Sequence, residues 1–206
     1  MPRELRVGDD AGLLPSLSLA LADPHAEVIV LEPGTYVEQV VVAPRARPLL
    51  ITSATDDPRD VILSFDLRQG DRGASGMPVV QDCATITLDA DDVTLRAVTV
   101  RNTFDKTAGA DVPDSQALAL RTRGTRIRVE RCRLLGRQDT VLLDSPSPAQ
   151  VRHVRLTDCL IEGDVDFVYG AATALIEGAR SAAWAPAASP HPARPPSTRA
   201  GSASPG

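Results

Sequence analysis

Two aspartates follow two cysteines at the same distance, and this spacing indicates where the chain could do chemistry. Asp139 comes seven residues after Cys132, and Asp166 comes seven residues after Cys159, so both pairs are 27 positions apart (159 − 132 and 166 − 139). A repeat of this length is typical of stacked architectures in which each repeat contacts its neighbours. Because neighbouring strands lie about 4.8 Å apart, an in-register repeat would bring the two carboxylates together.

Two carboxylates held this close can divide the roles of acid and nucleophile, because one of them tends to keep its proton at neutral pH. Two glutamines accompany the aspartates: Gln138 adjoins Asp139, and Gln116 comes about one coil earlier. Amide groups can donate hydrogen bonds to an oxyanion without titrating. The set predicts an ester hydrolase with an aspartate nucleophile, an acid that protonates the leaving alkoxide, and amide donors.

Each of these residues also has a purely structural interpretation. Aspartates beside glycine usually bond local backbone in turns, and the equal offset is what favours catalysis here. Gln116 and Gln138 would serve equally well as polar residues stacked inside a coil. Four arginines that follow the first glutamine are interpreted as a solvated strand face, since exposed charge rarely has a further role: Arg121, Arg123, Arg126 and Arg128.

Several other classes of protein are not indicated. The sequence has no Gly-x-Ser-x-Gly elbow, His-Glu-x-x-His, Cys-x-x-Cys or phosphate-binding glycine loop, and its three histidines form no evident triad. We therefore expect no metal and no cofactor. With 22 basic and 27 acidic residues and no basic run, nucleic acid is not an expected partner. No apolar run approaches the length of a membrane span, so we expect no membrane association.

The elements that must position the aspartates are short β-branched runs separated by Gly, Asp and Asn. Residues 13–22 predict a short helix with Ser16 as its N-cap, and residues 32–36 predict a turn with a packed ring at Tyr36. Strands are predicted over 28–31, 37–42, 49–53, 61–64, 84–88, 93–100, 117–120, 127–129, 151–156 and 174–177.

This pattern fits a sandwich, a propeller or a β-helix, and the 27-residue match favours the β-helix. Three cysteines give no disulfide framework, so Cys132 and Cys159 are predicted to stack in the core. We predict one domain over residues 1–178 and a disordered tail over 179–206, where Ala, Pro, Ser and Gly fill 22 of 28 positions. The β pattern ends at Gly178 without a cap, which suggests a truncated or frame-slipped product that lacks further coils.

Four segments resemble the pectin methylesterase family and occur in that family's order: Pro33–Glu38, Gln116–Arg121, Gly136–Thr140 and Ile161–Gly170. The resemblance extends from about residue 5 to residue 178. It implies an all-β fold, a right-handed single-stranded parallel β-helix. It also implies demethylation of methyl-esterified polygalacturonate (pectin) to pectate and methanol, without a metal, by a monomer. Members of the family are typically secreted, although the N-terminus here lacks the apolar stretch of a signal peptide.

The resemblance also assigns roles to individual residues. Asp166 would attack the ester carbonyl, and Asp139 would protonate the departing methanol and then activate water. Gln138 would stabilise the oxyanion. Gln116 and Thr85 would contact substrate, although a threonine at position 85 is also what a β-strand favours.

One departure from the family pattern concerns the charge beside the nucleophile. Family members carry an arginine, closely followed by a tryptophan, on a later coil, and the arginine keeps the nucleophile ionised. Arg180 and Trp184 come too soon in the sequence to replace them. The sequence therefore predicts weak or no activity for this chain. Two alternatives remain: another pectin-active β-helix enzyme (polygalacturonase or lyase), or a β-helix remnant that binds sugar or nothing.

Overall fold

The chain winds into a stack of coils built from short parallel strands. The structure, a computed structural model, describes residues 1–71, 81–106, 113–147 and 149–183. Its helix and strands are α1 (Leu17–Leu21), β1 (Glu4–Val7), β2 (Val28–Leu31), β3 (Gly34–Val37), β4 (Val40–Val42), β5 (Leu49–Ser53), β6 (Val61–Phe65), β7 (Ile86–Leu88), β8 (Val93–Arg96), β9 (Thr99–Asn102), β10 (Leu120–Thr122), β11 (Ile127–Glu130), β12 (Arg133–Leu135), β13 (Val141–Leu143), β14 (His153–Thr157), β15 (Leu160–Gly163), β16 (Val168–Gly170), β17 (Thr173–Glu177) and β18 (Arg180–Ala183).

The strands form three parallel sheets, and each full coil contributes one strand to each sheet. Sheet A has the order β1-β2-β5-β8-β11-β14-β17, sheet B has the order β3-β6-β9-β12-β15-β18, and sheet C has the order β4-β7-β10-β13-β16. Successive strands along the chain therefore pass from A to B to C before the next coil begins. This connectivity confirms the parallel β-helix that the sequence predicts.

Aliphatic ladders along the axis hold the coils together. In sheet A, one inward-facing residue from each strand stacks on the next through the register of the paired strands. The ladder contains Ile29, Ile51, Leu95, Val129 and Leu156, all 0% exposed, and ends at Ile176 in β17. Burying such a side chain contributes about 1.5–3 kcal/mol. In β5, β8, β11 and β14 of this sheet, buried positions alternate with less buried ones, so one face of each strand meets the core.

The predicted 27-residue register is confirmed between two adjacent coils. Ile127 pairs with Val154 in sheet A, Arg133 with Leu160 in sheet B, and Val141 with Val168 in sheet C, each 27 positions apart. Elsewhere the offset ranges from 20 (173 − 153) to 46 (86 − 40). The repeat is thus local, because loops of different length interrupt the other coils.

A left-handed backbone position turns the chain from sheet A into sheet B. Ala97, Arg131, Asp158 and Gly178 have φ of 53°, 52°, 53° and 62° and occupy the same bend on four successive coils. The bend at Ala97 divides the single strand predicted over 93–100 into β8 and β9. That prediction was wrong because the β-branched run continues through the corner without a break in composition.

The predicted N-terminal helix is confirmed in a shorter form. Ser16 is its N-cap and accepts a hydrogen bond from the Leu19 N–H. The Glu38 carboxylate also accepts hydrogen bonds from the Leu17 and Ser18 N–H groups, at 2.8 and 3.0 Å. Leu17 and Ala20 are fully buried, so the helix packs its apolar side onto the core.

Two further predictions about local structure require correction. Residues 34–36 are part of strand β3 rather than a turn, because Gly34 pairs with Val61 of β6, although the Tyr36 ring is buried as expected. The regular β pattern also continues past Gly178, since β18 pairs with β15 through Leu160 and Arg180. The boundary was placed too early because the Ala and Ser residues of β18 have the same composition as the tail. They are extended because β18 pairs with β15. The rest of the predicted tail, from residue 184, lies outside the described residues.

Candidate active site

The two aspartates lie on the turns that lead from sheet B to sheet C on adjacent coils. Gln138 forms a β-bridge with Val165, and the Asp139 N–H donates to the Val165 carbonyl at 3.0 Å. Asp139 and Asp166 both have left-handed backbone, with φ of 63° and 44°. The same backbone conformation at equivalent positions brings the two carboxylates close together, as the sequence predicts.

The turns keep this shape because small residues pack beneath them. Thr140 is fully buried, and its hydroxyl contacts the Glu162 carbonyl at 3.1 Å. A Cβ on Gly163 would lie 2.3 Å from the Phe167 Cβ and 2.7 Å from the Thr140 Oγ1. Only glycine fits at this position. The Gly-Asp-Val-Asp and Gln-Asp-Thr segments are therefore packed against each other.

Asp139 is the member of the pair that tends to keep its proton. Burial is the largest influence and raises the pKa of its carboxyl group, and the nearby Asp166 charge raises the pKa further. Hydrogen bonds from Tyr169 and Gln138 and the charge of Lys106 act in the opposite direction without reversing the shift. A carboxyl group that holds its proton more firmly than usual suits a general acid.

Tyr169 interacts with Asp139 and is not among the site residues predicted from the sequence, although it lies within the Ile161–Gly170 segment. It lies in β16, in register with Leu142 of β13, and packs on a small apolar cluster that contains Cys83 and Leu118. Burial and the adjacent Asp139 charge raise the pKa of its phenol. The neutral hydroxyl is thus available to donate to Asp139.

The two predicted glutamines lie on neighbouring coils beside the aspartates. The Ala117 N–H donates to the Gln138 carbonyl at 3.1 Å, which places Gln116 next to the turn that carries Asp139. The Ser115 hydroxyl contacts Gln138 Oε1 at 2.7 Å. Within the described chain, the Oε1 of Gln116 is buried and has no hydrogen-bond partner.

Thr85 lies on the coil next to the one that carries Gln116, and its N–H donates to the Leu118 carbonyl at 3.0 Å. It is fully buried, and its hydroxyl donates to the Arg101 carbonyl of sheet B at 3.0 Å. Thr85 directly precedes β7, which begins at Ile86, and its substrate contact stays a prediction.

Arg121 is not part of a solvated strand face, so that prediction was wrong. Its side chain is only 9% exposed and forms ion pairs with Asp82 at 2.8 Å and Asp144 at 2.7 Å. Its row of sheet C continues through Leu142 to Tyr169. Arg123 and Arg126 are exposed, as expected. The sequence did not reveal the burial of Arg121 because its two partners, Asp82 and Asp144, come from other coils.

A second group of charges lies beside the pair and was also missed. Asp164 binds Lys106 at 2.7 Å and Arg137 at 3.1 Å. Arg180 lines the same cavity of about 480 Å³ as Asp166, but no ion pair joins the two. Arg137 and Asp164 are also 27 residues apart, so the repeat could have predicted that they meet on adjacent coils. No sequence motif indicates that Lys106 joins them. Trp184 lies outside the described residues.

The cysteines are free thiols in the core. Cys132 and Cys159 occupy equivalent positions on adjacent coils, and burial raises the pKa of both thiols. Their predicted stacking is confirmed. Over the described ranges, no group of three or more His, Cys, Asp or Glu side chains could hold a metal ion. No helix in this part of the chain is long and apolar enough to cross a membrane.

Comparison with known proteins identifies the family. A sequence profile described as Pectinesterase matches residues 18–192. The chain belongs to the pectinesterase family. The profile match continues past residue 178, in agreement with the position of β18. The family resemblance carried by the four motifs is thus confirmed, and the comparisons do not favour the polygalacturonase and lyase alternatives.

Relatives in this family are considerably longer than the chain. Pectinesterase B of Dickeya dadantii (strain 3937) is 32% identical over 188 residues, covering 74% of the chain and 43% of the relative. Pectinesterase QRT1 of Arabidopsis thaliana is 31% identical over 151 residues, covering 72% of the chain and 37% of the relative. The chain thus spans less than half the length of these two pectinesterases.

Solved pectin methylesterases share the fold. A pectin methylesterase in complex with a hexasaccharide matches with a TM-score of 0.75 at 24% identity, covering 86% of the chain and 54% of that structure. The carrot pectin methylesterase matches with a TM-score of 0.71 at 24% identity, covering 91% of the chain and 54% of that structure. These matches and the three parallel sheets establish a right-handed parallel β-helix.

Proposed function

We propose that the chain is a pectinesterase-type carboxylic ester hydrolase that converts methyl-esterified polygalacturonate to pectate and methanol. The observation that carries this proposal is the stacking of Asp139 on Asp166 at equivalent left-handed positions. Gln138 adjoins the pair, and Gln116 is on the next coil. Family membership supports the same reaction and the same substrate class.

In the first half of the reaction, Asp166 acts as the nucleophile. One of its carboxylate oxygens bonds to the ester carbonyl carbon, and the carbonyl oxygen takes up negative charge that the Gln138 amide stabilises. Asp139 then donates its proton to the methoxy oxygen, and methanol leaves as the C–O bond breaks. The raised pKa of Asp139 suits it for this donation. Gln116 is the proposed substrate contact.

In the second half, water resolves the acyl-enzyme. Asp139, now ionised, takes a proton from the water as it attacks the same carbonyl carbon. The bond to Asp166 breaks, which frees its carboxylate and releases the product acid. Every proton that leaves Asp139 in the first half returns in the second, so the enzyme is regenerated without a metal or cofactor.

Methanol release from highly methylated pectin tests this proposal. The wild-type chain should release methanol, and Asp166→Asn should abolish the release without weakening binding of the polysaccharide. A matched control is Asp158→Asn, because Asp158 has a similar φ of 53° but lies at a bend away from the pair. No methanol from the wild type, or equal release from Asp166→Asn, would sink the proposal.

We expect the wild-type rate to be low. In the part of the chain that the structure describes, no cation forms an ion pair with Asp166. No cation therefore orients this carboxylate toward the ester carbonyl by direct contact, and a poorly oriented catalytic group lowers the rate. A specific activity equal to that of a longer family member, measured on the same pectin, would contradict this expectation.

A further inference from the structure

The register that pairs Asp139 with Asp166 also pairs Arg137 with Asp164, two residues earlier on the same turns. The Asp164 N–H donates to the Arg137 carbonyl at 3.0 Å, and the Arg137 Nε lies 3.1 Å from the Asp164 Oδ2. Two coils are therefore joined by an opposite-charge pair directly beside a like-charge pair. Both pairs act between the same two segments of backbone.

Lys106 completes this group of charges. Its Nζ lies 2.7 Å from the Asp164 Oδ1, so each oxygen of that carboxylate contacts a different cation. Arg137 also contacts Asp105 at 3.5 Å. Three segments that are distant in sequence, the one after β9 and the two turns, thus meet at one carboxylate.

The group is withdrawn from solvent. The side chains of Arg137, Asp164 and Lys106 are 8%, 19% and 22% exposed. Charges in this setting are screened less than surface charges, so their interactions are stronger. Removing one partner would leave another charge poorly compensated. Burial opposes ionisation of Asp164, yet hydrogen bonds from Lys106 and Arg137 hold the pKa of its carboxyl group below the ordinary value.

The aspartate pair needs such support. When both carboxylates are ionised, they repel each other, and this repulsion tends to separate the turns that carry them. Both aspartates also occupy left-handed backbone, which non-glycine residues adopt only when the surroundings hold them there. Attraction between Arg137 and Asp164 draws the same two turns together and so opposes this repulsion.

Lys106 also acts on the pair through its charge. The positive charge of Lys106 lowers the pKa of the Asp139 carboxyl group, whereas burial, which has the larger effect, raises it. The other titratable and polar groups that interact with Asp139 come from its own turn (Gln138), from the adjacent coil (Asp166 and Tyr169) and from the segment before β7 (Cys83).

We propose that Arg137, Asp164 and Lys106 form a positioning cluster that holds the two catalytic aspartates at their working separation. Within the cluster, Lys106 is the cation whose charge acts on the Asp139 carboxyl group. The catalytic role of this cluster rests on the proposed function. The cluster itself does not contact the reacting atoms. Its effect is transmitted through the two turns and through the charge of Lys106.

Substitutions in the cluster should lower turnover without weakening substrate binding. In the methanol-release assay, Lys106→Met and Arg137→Met should each lower kcat about 10- to 100-fold with KM nearly unchanged, as expected for misplaced catalytic groups. Lys106→Arg should keep most of the activity. The matched control is Arg126→Met, which removes a guanidinium from the exposed pair with Asp92 and should leave kcat unchanged.

A second measurement does not depend on turnover. Carbon-13 NMR titration of the Asp139 carboxyl should show a higher pKa in Lys106→Met than in the wild type, with no change in Arg126→Met. If Arg137→Met does not fold, Lys106→Met alone decides the matter. An unchanged kcat and an unchanged Asp139 titration in folded Lys106→Met would overturn the cluster. Absence of methanol from the wild type would instead overturn the proposed function.

Discussion

The Ser115 hydroxyl donates a hydrogen bond to the side-chain oxygen of Gln138 at 2.7 Å. This contact fixes the orientation of the amide, because the oxygen end is occupied and only the NH₂ end remains to donate. Gln138 also donates a hydrogen bond that lowers the pKa of Asp139. Ser115 therefore determines that a substrate carbonyl would meet the NH₂ end of the Gln138 amide and not its oxygen end.

Replacing Ser115 tests the importance of this orientation. Ser115→Ala should lower kcat by about 10-fold with little change in KM, because a free amide spends part of its time with the wrong end toward the oxyanion. Ser115→Thr retains the hydroxyl and should retain activity. Steady-state methanol release measures both variants. Wild-type kcat in Ser115→Ala would show that the amide is oriented by other contacts.

The raised pKa of Asp139 predicts a gain in stability when its charge is removed. The folded-state pKa lies above the unfolded value of 3.8, so ionisation above that pH disfavours the folded state. Asp139→Asn should therefore raise the free energy of unfolding at pH 7, and the gain should vanish as the pH falls below 3.8. Urea unfolding at several pH values measures the effect.

Asp92 supplies a control of opposite sign. Its hydrogen bond from Arg126 lowers the pKa of its carboxyl group below 3.8, so its contribution is present above that pH and is lost as the pH falls through the folded-state pKa. Asp92→Asn should thus slightly lower stability at pH 7. A loss of stability at pH 7 in Asp139→Asn would contradict the proposed environment of Asp139.

Gly163 should tolerate no side chain. In Gly163→Ala the new Cβ would lie 2.3 Å from the Phe167 Cβ and 2.8 Å from the Arg137 carbonyl, and relieving such overlaps costs about 1–3 kcal/mol or more. Gly34→Ala is the matched control, because its nearest neighbours would be 3.9 Å away in the Tyr36 ring. Urea unfolding should show a large loss only for Gly163→Ala. Equal losses would refute the packing argument.

The sheet A ladder predicts different costs at its middle and its end. Leu95→Ala should lower the free energy of unfolding by about 2–5 kcal/mol, because a cavity forms between filled coils. Ile176→Ala should cost less than about 1.5 kcal/mol, since Ile176 is 45% exposed. Comparison of the two variants in urea tests whether stability is concentrated in the central coils. A greater loss for Ile176→Ala would contradict that distribution.

Local pattern was sufficient to predict many of the elements. Ser16 caps the helix as predicted, and the strands at 28–31 and 49–53 match the sequence boundaries. These predictions succeed because alternation of β-branched residues and the chemistry of an N-cap depend on near neighbours only. β3 and the corner at Ala97 were missed because pairing and backbone bending at those places depend on other coils.

By itself, the sequence determined the coil register around the two aspartates and the family to which the chain belongs. Only the tertiary structure decided that Arg121 is buried with Asp144, that the Thr85 hydroxyl donates to the Arg101 carbonyl, and that Lys106 binds an acid 58 residues away. Coil lengths differ along the stack, so sequence distance does not reveal which side chains meet. The environment of each charge, and with it each pKa, depends on these contacts between coils.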